Sequence, residues 1–242
     1  MVEGETMAIE NPVIKDAMEI NRRLFYDLWN ISNVSLLPTG LSPRLILPKR
    51  RSQDLRISEQ EARFLYVGLL NTLNYFYSVE TPTEQVYSQT GQKSQSGASD
   101  LSLYIQDENQ MTKVMNVEFK AHNPARKDVL KDIEKLIYEN ITGNWFHLLK
   151  SIHRQSIPVL FDKIAYSLKV CREKYKVDEI SILFSFCVLE RKWACVKYFK
   201  YNESVGNFEK YVDDFLKIKY QIKMGKVEVL DDAGWNIISQ EL

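Results

Sequence analysis

Hydrophobic and polar residues alternate along two segments in the first half of the chain, and this alternation predicts a β-hairpin. The segments are residues 100–105 and 114–121, and a polar, turn-like run separates them. Alternation with a period of two is typical of strands that bury one face and expose the other. We therefore expect two antiparallel strands with a core face and a polar face.

The register of this hairpin decides which polar side chains meet. If Gln106 and Thr112 close a loop of the five residues between them, Asp100 lies directly opposite Glu118. Lys120 follows two positions later and points to the same side as both acids. The opposite face then carries the apolar pairs Leu101 with Val117 and Leu103 with Met115, and further along Ile105 and Phe119.

Apolar residues at helical spacing predict the helices around the hairpin. The predicted helices are residues 12–30, 58–77, 124–140, 157–175 and 205–220, with Asn11, Asn123 and Ser156 as caps and a capping box from Ser58 to Glu61. Other strands are predicted at residues 83–89, 180–189, 193–199 and 226–230, and residues 140–155 are expected to bridge two helices. This order favours an α/β fold with a mixed central sheet flanked by helices.

Length and composition indicate one globular domain with an N-terminal helical extension. The chain has 242 residues, of which 45% are hydrophobic, and its net charge is zero. We divide it into residues 1–56, a helix and an irregular basic arm, and residues 57–242, an α/β core with C-terminal additions. The first residues are acidic and no apolar run is long enough for a signal peptide or a bilayer span, so we expect a cytoplasmic protein with no membrane partner.

Two carboxylates directly opposite each other repel, at a cost of roughly 0.2 to 1 kcal/mol, unless a positive group lies between them. A divalent cation would supply that charge. Mg²⁺ accepts one or two protein carboxylates and keeps positions open for water and phosphate oxygens. Asp100 and Glu118 are therefore candidate Mg²⁺ ligands, and Lys120 is a candidate for orienting the attacking water.

An Asp on one strand followed by Glu-x-Lys on the next resembles the PD-(D/E)xK nuclease superfamily. The residues that carry the pattern are Asp100, Glu118 and Lys120, with Ser99 where the family name has Pro, and the resemblance covers roughly residues 57 to 190. It implies a restriction-endonuclease-like core with the order helix, three strands, helix, strand. It also implies hydrolysis of phosphodiester bonds with Mg²⁺, for which Mn²⁺ can substitute.

Further site residues follow from the same resemblance. The backbone carbonyl of Phe119 is expected to supply another oxygen ligand to the metal. In this family the helix before the first core strand often carries an acid near the metal, and the candidates here are Glu59 and Glu61. Glu61 is also explained as the capping partner of Ser58.

Two basic clusters could contact the phosphates of a nucleic acid. One lies on the predicted helix 124–140 and contains Arg126, Lys127, Lys131 and Lys135, and the other contains Arg44, Lys49, Arg50, Arg51 and Arg56. An ordinary solvated face explains each cluster as well. The neutral net charge lends no support to a protein that coats nucleic acid non-specifically.

A second Glu-x-Lys occurs at Glu190 and Lys192. The nearest acids upstream are Asp178 and Glu179, at the start of the same predicted strand, and so more than about 30 Å away along it. They cannot share an ion with Glu190. We therefore expect Glu190 and Lys192 to lie in a surface turn without a metal.

The leading hypothesis is a Mg²⁺-dependent endonuclease that acts on DNA. The alternative is a non-catalytic module of the same fold that binds nucleic acid or a protein, and an enzyme for another phosphate ester is a third reading. The sequence leaves open the choice between DNA and RNA, the specificity, and the oligomeric state, for which a homodimer is one option.

Overall fold

The computed structural model describes residues 11–32, 45–52, 54–87 and 95–240. Within these ranges the chain forms five α-helices and nine β-strands. The helices are α1 (Pro12–Ser32), α2 (Glu59–Leu70), α3 (Arg126–Tyr138), α4 (Ser156–Tyr175) and α5 (Phe208–Phe215). The strands are β1 (Phe76–Tyr87), β2 (Gln95–Asp107), β3 (Gln110–Ala121), β4 (Thr142–Leu149), β5 (Glu179–Val188), β6 (Trp193–Asn202), β7 (Lys219–Lys223), β8 (Lys226–Asp231) and β9 (Asn236–Ser239).

Seven of these strands form one mixed sheet in the order β1-β2-β3-β4-β5-β6-β9, and β7 and β8 pair separately. The pairs β3–β4 and β4–β5 are parallel, and the other pairs in the sheet are antiparallel. Parallel neighbours need a crossover, and α3 and α4 supply the two that occur here. The predicted α/β fold with a mixed central sheet is confirmed.

The helices cover both faces of the sheet and create two hydrophobic cores. On one side, α1 and α2 pack on Leu101, Val117 and Phe119. On the other side, α3, α4 and α5 pack on inward-facing residues of β4, β5 and β6, including Trp145 and Phe184. The central strands are therefore buried on both faces, as parallel strands in α/β proteins are.

The largest correction to the predicted elements is β4, Thr142–Leu149, because residues 140–155 were expected only to bridge two helices. This strand pairs in parallel with both β3 and β5, and almost every residue in it is buried. A strand buried on both faces has no alternation for the sequence to reveal. The strand occupies the centre of the sheet.

Other boundaries also differ from the predictions. The second helix ends at Leu70, and residues up to 77 that were predicted as helical belong partly to β1, which starts at Phe76. The last predicted helix is shortened to Phe208–Phe215, and β7 and β9 were not predicted. The strand predicted at residues 83–89 begins much earlier, at Phe76, and residues 88 and 89 lie outside the described part of the chain. The two hairpin strands are longer than predicted, at Gln95–Asp107 and Gln110–Ala121. The remaining predicted elements are found close to their expected ends.

Two of the predicted caps are wrong. Ala125 precedes α3, while the Asn123 side chain accepts a hydrogen bond from Lys163 Nζ at 2.6 Å. Gln155 precedes α4, and the Ser156 hydroxyl accepts from the backbone nitrogen of His153 at 2.8 Å. The capping box at Ser58 is present as predicted.

Candidate functional site

The predicted register of the hairpin is correct where the site lies, although the predicted turn is wrong. The structure pairs Leu101 with Val117 and Leu103 with Met115. The strands, however, continue to a tight turn in which Asp107 pairs with Gln110. A register shift after Leu103 offsets the shorter loop. Ile105, expected on the core face, lies nearer the turn and is 38% exposed.

Asp100 lies beside Glu118 at the end of this hairpin and is held by two donors. Its Oδ1 accepts from the Arg63 guanidinium of α2 at 2.8 Å, and its Oδ2 accepts from the backbone nitrogen of Phe119 at 2.8 Å. Continuing the register of Leu101 and Val117 by one pair brings Asp100 opposite Glu118. Both of its carboxylate oxygens keep a second lone pair for a further partner.

Glu118 is completely buried. Its Oε2 accepts from Lys135 Nζ of α3 at 2.5 Å, whereas its Oε1 has no hydrogen-bond partner among the described residues. Burial raises the pKa of this carboxyl well above its usual range, Lys135 opposes the rise, and the charges of Asp132 and Asp100 add to it. Glu118 is thus an acid whose ionised form is costly unless more positive charge arrives.

Lys120 projects from β3 between two acids on different helices. Its Nζ lies 2.7 Å from Asp132 Oδ2 on α3 and 3.6 Å from Glu59 Oε1 on α2. Burial alone would lower the pKa of Lys120, but the nearby carboxylates outweigh it and raise that pKa above the ordinary value for lysine. Lys120 is therefore a positive charge at neutral pH and not a general base.

Helix α3 contributes Asp132 and Lys135, which lie one turn apart and contact each other. Lys135 Nζ is 3.0 Å from Asp132 Oδ1 and also donates to the carbonyl of Ala98 at 3.0 Å. Asp132 therefore joins Lys135 to Lys120 through its two oxygens. The prediction that Lys135 contacts phosphates is corrected, because it is 95% buried and bound to two carboxylates.

Asp132 and Arg63 are the site residues that sequence reasoning missed. A signal for Asp132 exists: it lies on the apolar side of α3 between Val129, Ile133 and Leu136, where a solvent-facing charge is not expected. Arg63 has no comparable signal in its own helix. It reaches Asp100 on β2 and Glu80 on β1, and the fold alone brings these strands to α2.

The two acids proposed on the helix before the first strand behave differently. Glu61 Oε2 accepts from the backbone nitrogen of Ser58 at 2.8 Å, so it serves the capping box. Glu59 faces Lys120 and is half buried. Burial raises its pKa, and Lys120 partly offsets the rise. Only Glu59 is brought to the cluster of Asp100, Glu118, Asp132, Arg63, Lys120 and Lys135, which we call the charged cluster.

The remaining basic residues named from the sequence lie outside the charged cluster. Lys127 and Lys131 are exposed along α3, and the Arg126 guanidinium is exposed above the ring of Tyr166 at 4.8 Å. In the basic arm, Lys49, Arg50, Arg51 and Arg56 are exposed, while Arg44 lies outside the described residues. The exposed basic residues remain available to a polyanion.

The second Glu-x-Lys lies where it was predicted, in the turn between β5 and β6. Lys150 Nζ lies between Asp54 Oδ1 at 3.0 Å and Glu190 Oε1 at 3.7 Å, and both acids are well exposed. A partly buried lysine and a second acid, Asp54, thus accompany Glu190. The position of this motif on the surface agrees with the prediction.

The charged cluster contains four acids and three bases when Glu59 is included. Among the described residues, no three side chains of His, Cys, Asp or Glu are grouped closely enough to hold a metal by themselves. The lysines and Arg63 instead lie between the acids. Any cation that binds here would use two carboxylates at most, together with backbone or water oxygens, which is the ligand number typical of Mg²⁺.

No helix in the described part of the chain is long and apolar enough to cross a membrane. No family model, no curated protein and no solved structure matches this chain.

Proposed function

We propose that this chain is a Mg²⁺-dependent nuclease of the PD-(D/E)xK type that hydrolyses phosphodiester bonds of DNA. The observation that carries the proposal is the convergence of Asp100, Glu118 and Lys120 on one side of two paired strands, with a buried oxygen of Glu118 left without a partner. A buried carboxylate oxygen is costly to leave unmatched. Functional sites are where such costs are retained.

The residues present fit a Mg²⁺ ion. Glu118 Oε1 is an orphaned buried acceptor, and Asp100 keeps free lone pairs on a carboxylate that Arg63 and Phe119 hold in place. All are hard oxygen donors, which Mg²⁺ prefers. Asp100, Glu118 and the backbone carbonyl of Phe119 would hold the ion, which supplies charge neutralisation and a more acidic bound water.

The other members of the charged cluster have roles that follow from their contacts. Lys120 is positively charged and can hold an attacking water or a developing negative charge on the phosphate. Asp132 fixes the position of Lys120, since its Oδ2 lies 2.7 Å from the ammonium. Arg63 fixes Asp100 in the same way from α2. The three cations lower the repulsion between the acids and an incoming phosphate.

The order of elements supports a restriction-endonuclease-like core. Helix α2 is followed by β1, β2 and β3, then by α3 and β4. This is the order helix, three strands, helix, strand that the resemblance implies. The candidate residues come from the adjacent strands β2 and β3, and β4 lies next to them in parallel.

The proposal is tested by incubating the purified protein with linear, circular and single-stranded DNA and with RNA, each in Mg²⁺, Mn²⁺ or EDTA. We expect cleavage of DNA with either metal and none in EDTA. Cleavage by wild type but not by Lys120→Met assigns it to this site and excludes a contaminant. Absence of cleavage of every substrate under all conditions would contradict the proposal.

A non-catalytic binding module is the second candidate, and one contact favours it. The ammonium of Lys135 lies 2.5 Å from Glu118 and thereby neutralises part of the buried charge without any metal. Under this reading the exposed basic residues would bind a nucleic acid that is never cut. Equal binding of DNA in Mg²⁺ and EDTA, with no product in either, would favour it.

A further inference from the structure

A cavity of about 520 Å³ opens at the end of β3, next to the charged cluster but lined by different side chains. His122, the second residue after Lys120, forms part of its wall, so the two residues are separated by at most about 7 Å of backbone. The floor is apolar and includes Leu149 and Leu160, both largely buried. Apolar walls with a few polar groups are typical of small-ligand sites.

His122 is held firmly in an unusual backbone conformation at the mouth of this cavity. Its φ is +62°, which is uncommon for a residue other than glycine. Its backbone nitrogen donates to Leu148 at 2.9 Å, and its carbonyl accepts from Nε2 of the buried His147 at 2.7 Å. Burial lowers the pKa of His147 to about 4, so this anchor stays neutral at physiological pH. Strained residues fixed in this way cluster at functional sites.

The polar side chains at the mouth already form some hydrogen bonds, and only their remaining donors and acceptors can bind a ligand. His122 Nε2 lies 3.0 Å from the carbonyl of Ile57, so Nδ1 is the ring nitrogen that can meet a ligand. Asn123 Oδ1 accepts from Lys163, so the amide nitrogen is the donor that Asn123 can offer. Lys150 adds a positive charge whose partners Asp54 and Glu190 are exposed, and such surface pairs are weak.

We propose that this cavity binds one unpaired nucleotide of the substrate strand, adjacent to the phosphodiester bond that is cleaved. The apolar side chains of Leu149, Val159 and Leu160 would cover the base, as apolar walls do in pockets that receive an extruded base. His122 and Asn123 would bond the base edge, and Lys150 would attract the backbone. The position of this nucleotide relative to the cut rests on the proposed nuclease function, whereas nucleotide binding does not.

The test is an equilibrium titration of the protein with each of the four deoxynucleoside 5′-monophosphates in EDTA, which removes any contribution from a metal. Val159→Glu places a negative charge at the cavity wall, at a residue that is 41% exposed. We expect it to weaken binding at least about tenfold, a difference of about 1.4 kcal/mol. Val205→Glu, at a matched residue that is 46% exposed and does not line the cavity, should bind like wild type.

A second variant tests whether a loss of binding in Val159→Glu comes from misfolding. Gln155→Glu adds a negative charge at another exposed residue of the cavity without changing side-chain size, and it should also weaken binding. If wild type binds none of the four nucleotides, or if both variants bind as well as wild type, the inference is wrong.

The same experiment separates this inference from the nuclease proposal. Nucleotide binding that is lost in Val159→Glu, in a protein that cleaves nothing, would leave the cavity assigned and the nuclease proposal refuted. Cleavage by wild type without any nucleotide binding would support the nuclease proposal and refute the assignment of the cavity. Cleavage assays on single-stranded and fully paired DNA then test whether the bound nucleotide lies beside the cleaved bond. Val159→Glu should reduce cleavage of both substrates, whereas Val205→Glu should reduce neither.

Discussion

Glu118 is the most deeply buried acid of the charged cluster. It is fully buried, it has one strong partner in Lys135, and its second oxygen has none among the described residues. Two further acids, Asp100 and Asp132, lie close enough to raise its pKa further. A fold optimised for stability alone would replace such a group with an apolar side chain, because buried ion pairs rarely repay their desolvation.

The raised pKa of Glu118 predicts that Mg²⁺ affinity increases with pH. A proton and the metal compete for the same carboxylate, so affinity should rise as pH passes from the ordinary glutamate range up through the raised pKa. Calorimetric titration of wild type with Mg²⁺ at several pH values measures this. Glu118→Gln should bind at least about tenfold more weakly, with little dependence on pH, and a wild-type affinity independent of pH would contradict the assignment.

The same shift predicts how stability depends on pH in EDTA. Because the folded-state pKa of Glu118 lies above the unfolded value, its contribution to stability is fully present below the unfolded pKa and is lost as pH rises through the folded pKa. Glu118→Gln has no carboxyl to ionise at this position, so it lacks this loss of stability at higher pH. The melting temperature of wild type should therefore fall relative to that of Glu118→Gln as pH rises, and parallel curves for the two proteins would exclude a raised pKa.

Lys120 is predicted to act on the reaction more than on the fold. Lys120→Met should lower cleavage about a hundredfold or more, since a preorganised positive group stabilises charge that develops in the transition state. Lys131→Met, on the exposed side of α3, is the matched control and should cleave normally. Mg²⁺ affinity should change little in either variant. A Lys120→Met protein with wild-type cleavage would remove Lys120 from the mechanism.

At the scale of elements, α3 is part of the site and not only the cover of the sheet. It crosses from β3 to β4, and its inward side carries Asp132 and Lys135 to the acids of the sheet. Close packing beneath it keeps this alignment: a Cβ added to Gly143 on β4 would lie 3.1 Å from Cβ of Leu136. The small residue at Gly143 lets α3 lie close to the sheet.

Removing the lysine that α3 supplies should destabilise the protein in a way that metal relieves. Lys135→Met leaves Glu118 buried without its partner, and breaking a buried pair on one side costs about 3–5 kcal/mol. Chemical denaturation in EDTA measures this cost. Added Mg²⁺ should recover part of the loss if it binds Glu118, because a ligand that binds only the folded state stabilises it.

The matched control for this variant is Lys217→Met. Lys217 also forms a pair with an acid three residues away, Asp214, but both are well exposed. Its removal should change stability little in either EDTA or Mg²⁺. A Lys135→Met protein that is destabilised but gains nothing from Mg²⁺ beyond what wild type gains would indicate a purely structural ion pair.

At the scale of the whole molecule, the two Glu-x-Lys motifs occupy different environments. Glu118 and Lys120 lie in a central strand covered by helices, while Glu190 and Lys192 lie in the turn that joins β5 to β6. Glu190→Gln should therefore leave cleavage and Mg²⁺ affinity unchanged, which parallel assays with Glu118→Gln would measure. Equal losses in the two variants would mean that the site has been assigned to the wrong motif.

The hairpin shows how far local reasoning reaches. The predicted pairing of Leu101 with Val117 is correct, although it was derived from a five-residue loop and the actual turn between Asp107 and Gln110 is shorter. The shift after Leu103 absorbs the difference. Glu61 was likewise explained by its capping partner three residues away, and α1 was predicted from apolar spacing and Pro12.

The sequence by itself determined the features that depend on periodicity and on neighbours a few residues apart. These features are the two-faced hairpin, α1, and the shared face of Asp100, Glu118 and Lys120. Only the tertiary structure decided the position of β4 and brought Arg63, Asp132 and Lys135 close to the other members of the charged cluster. Strand β4 is buried on both faces, so no alternation marks it. The pairs of Asp100 with Arg63 and of Glu118 with Lys135 join residues that are distant in sequence, so they form only when α2 and α3 pack against the sheet.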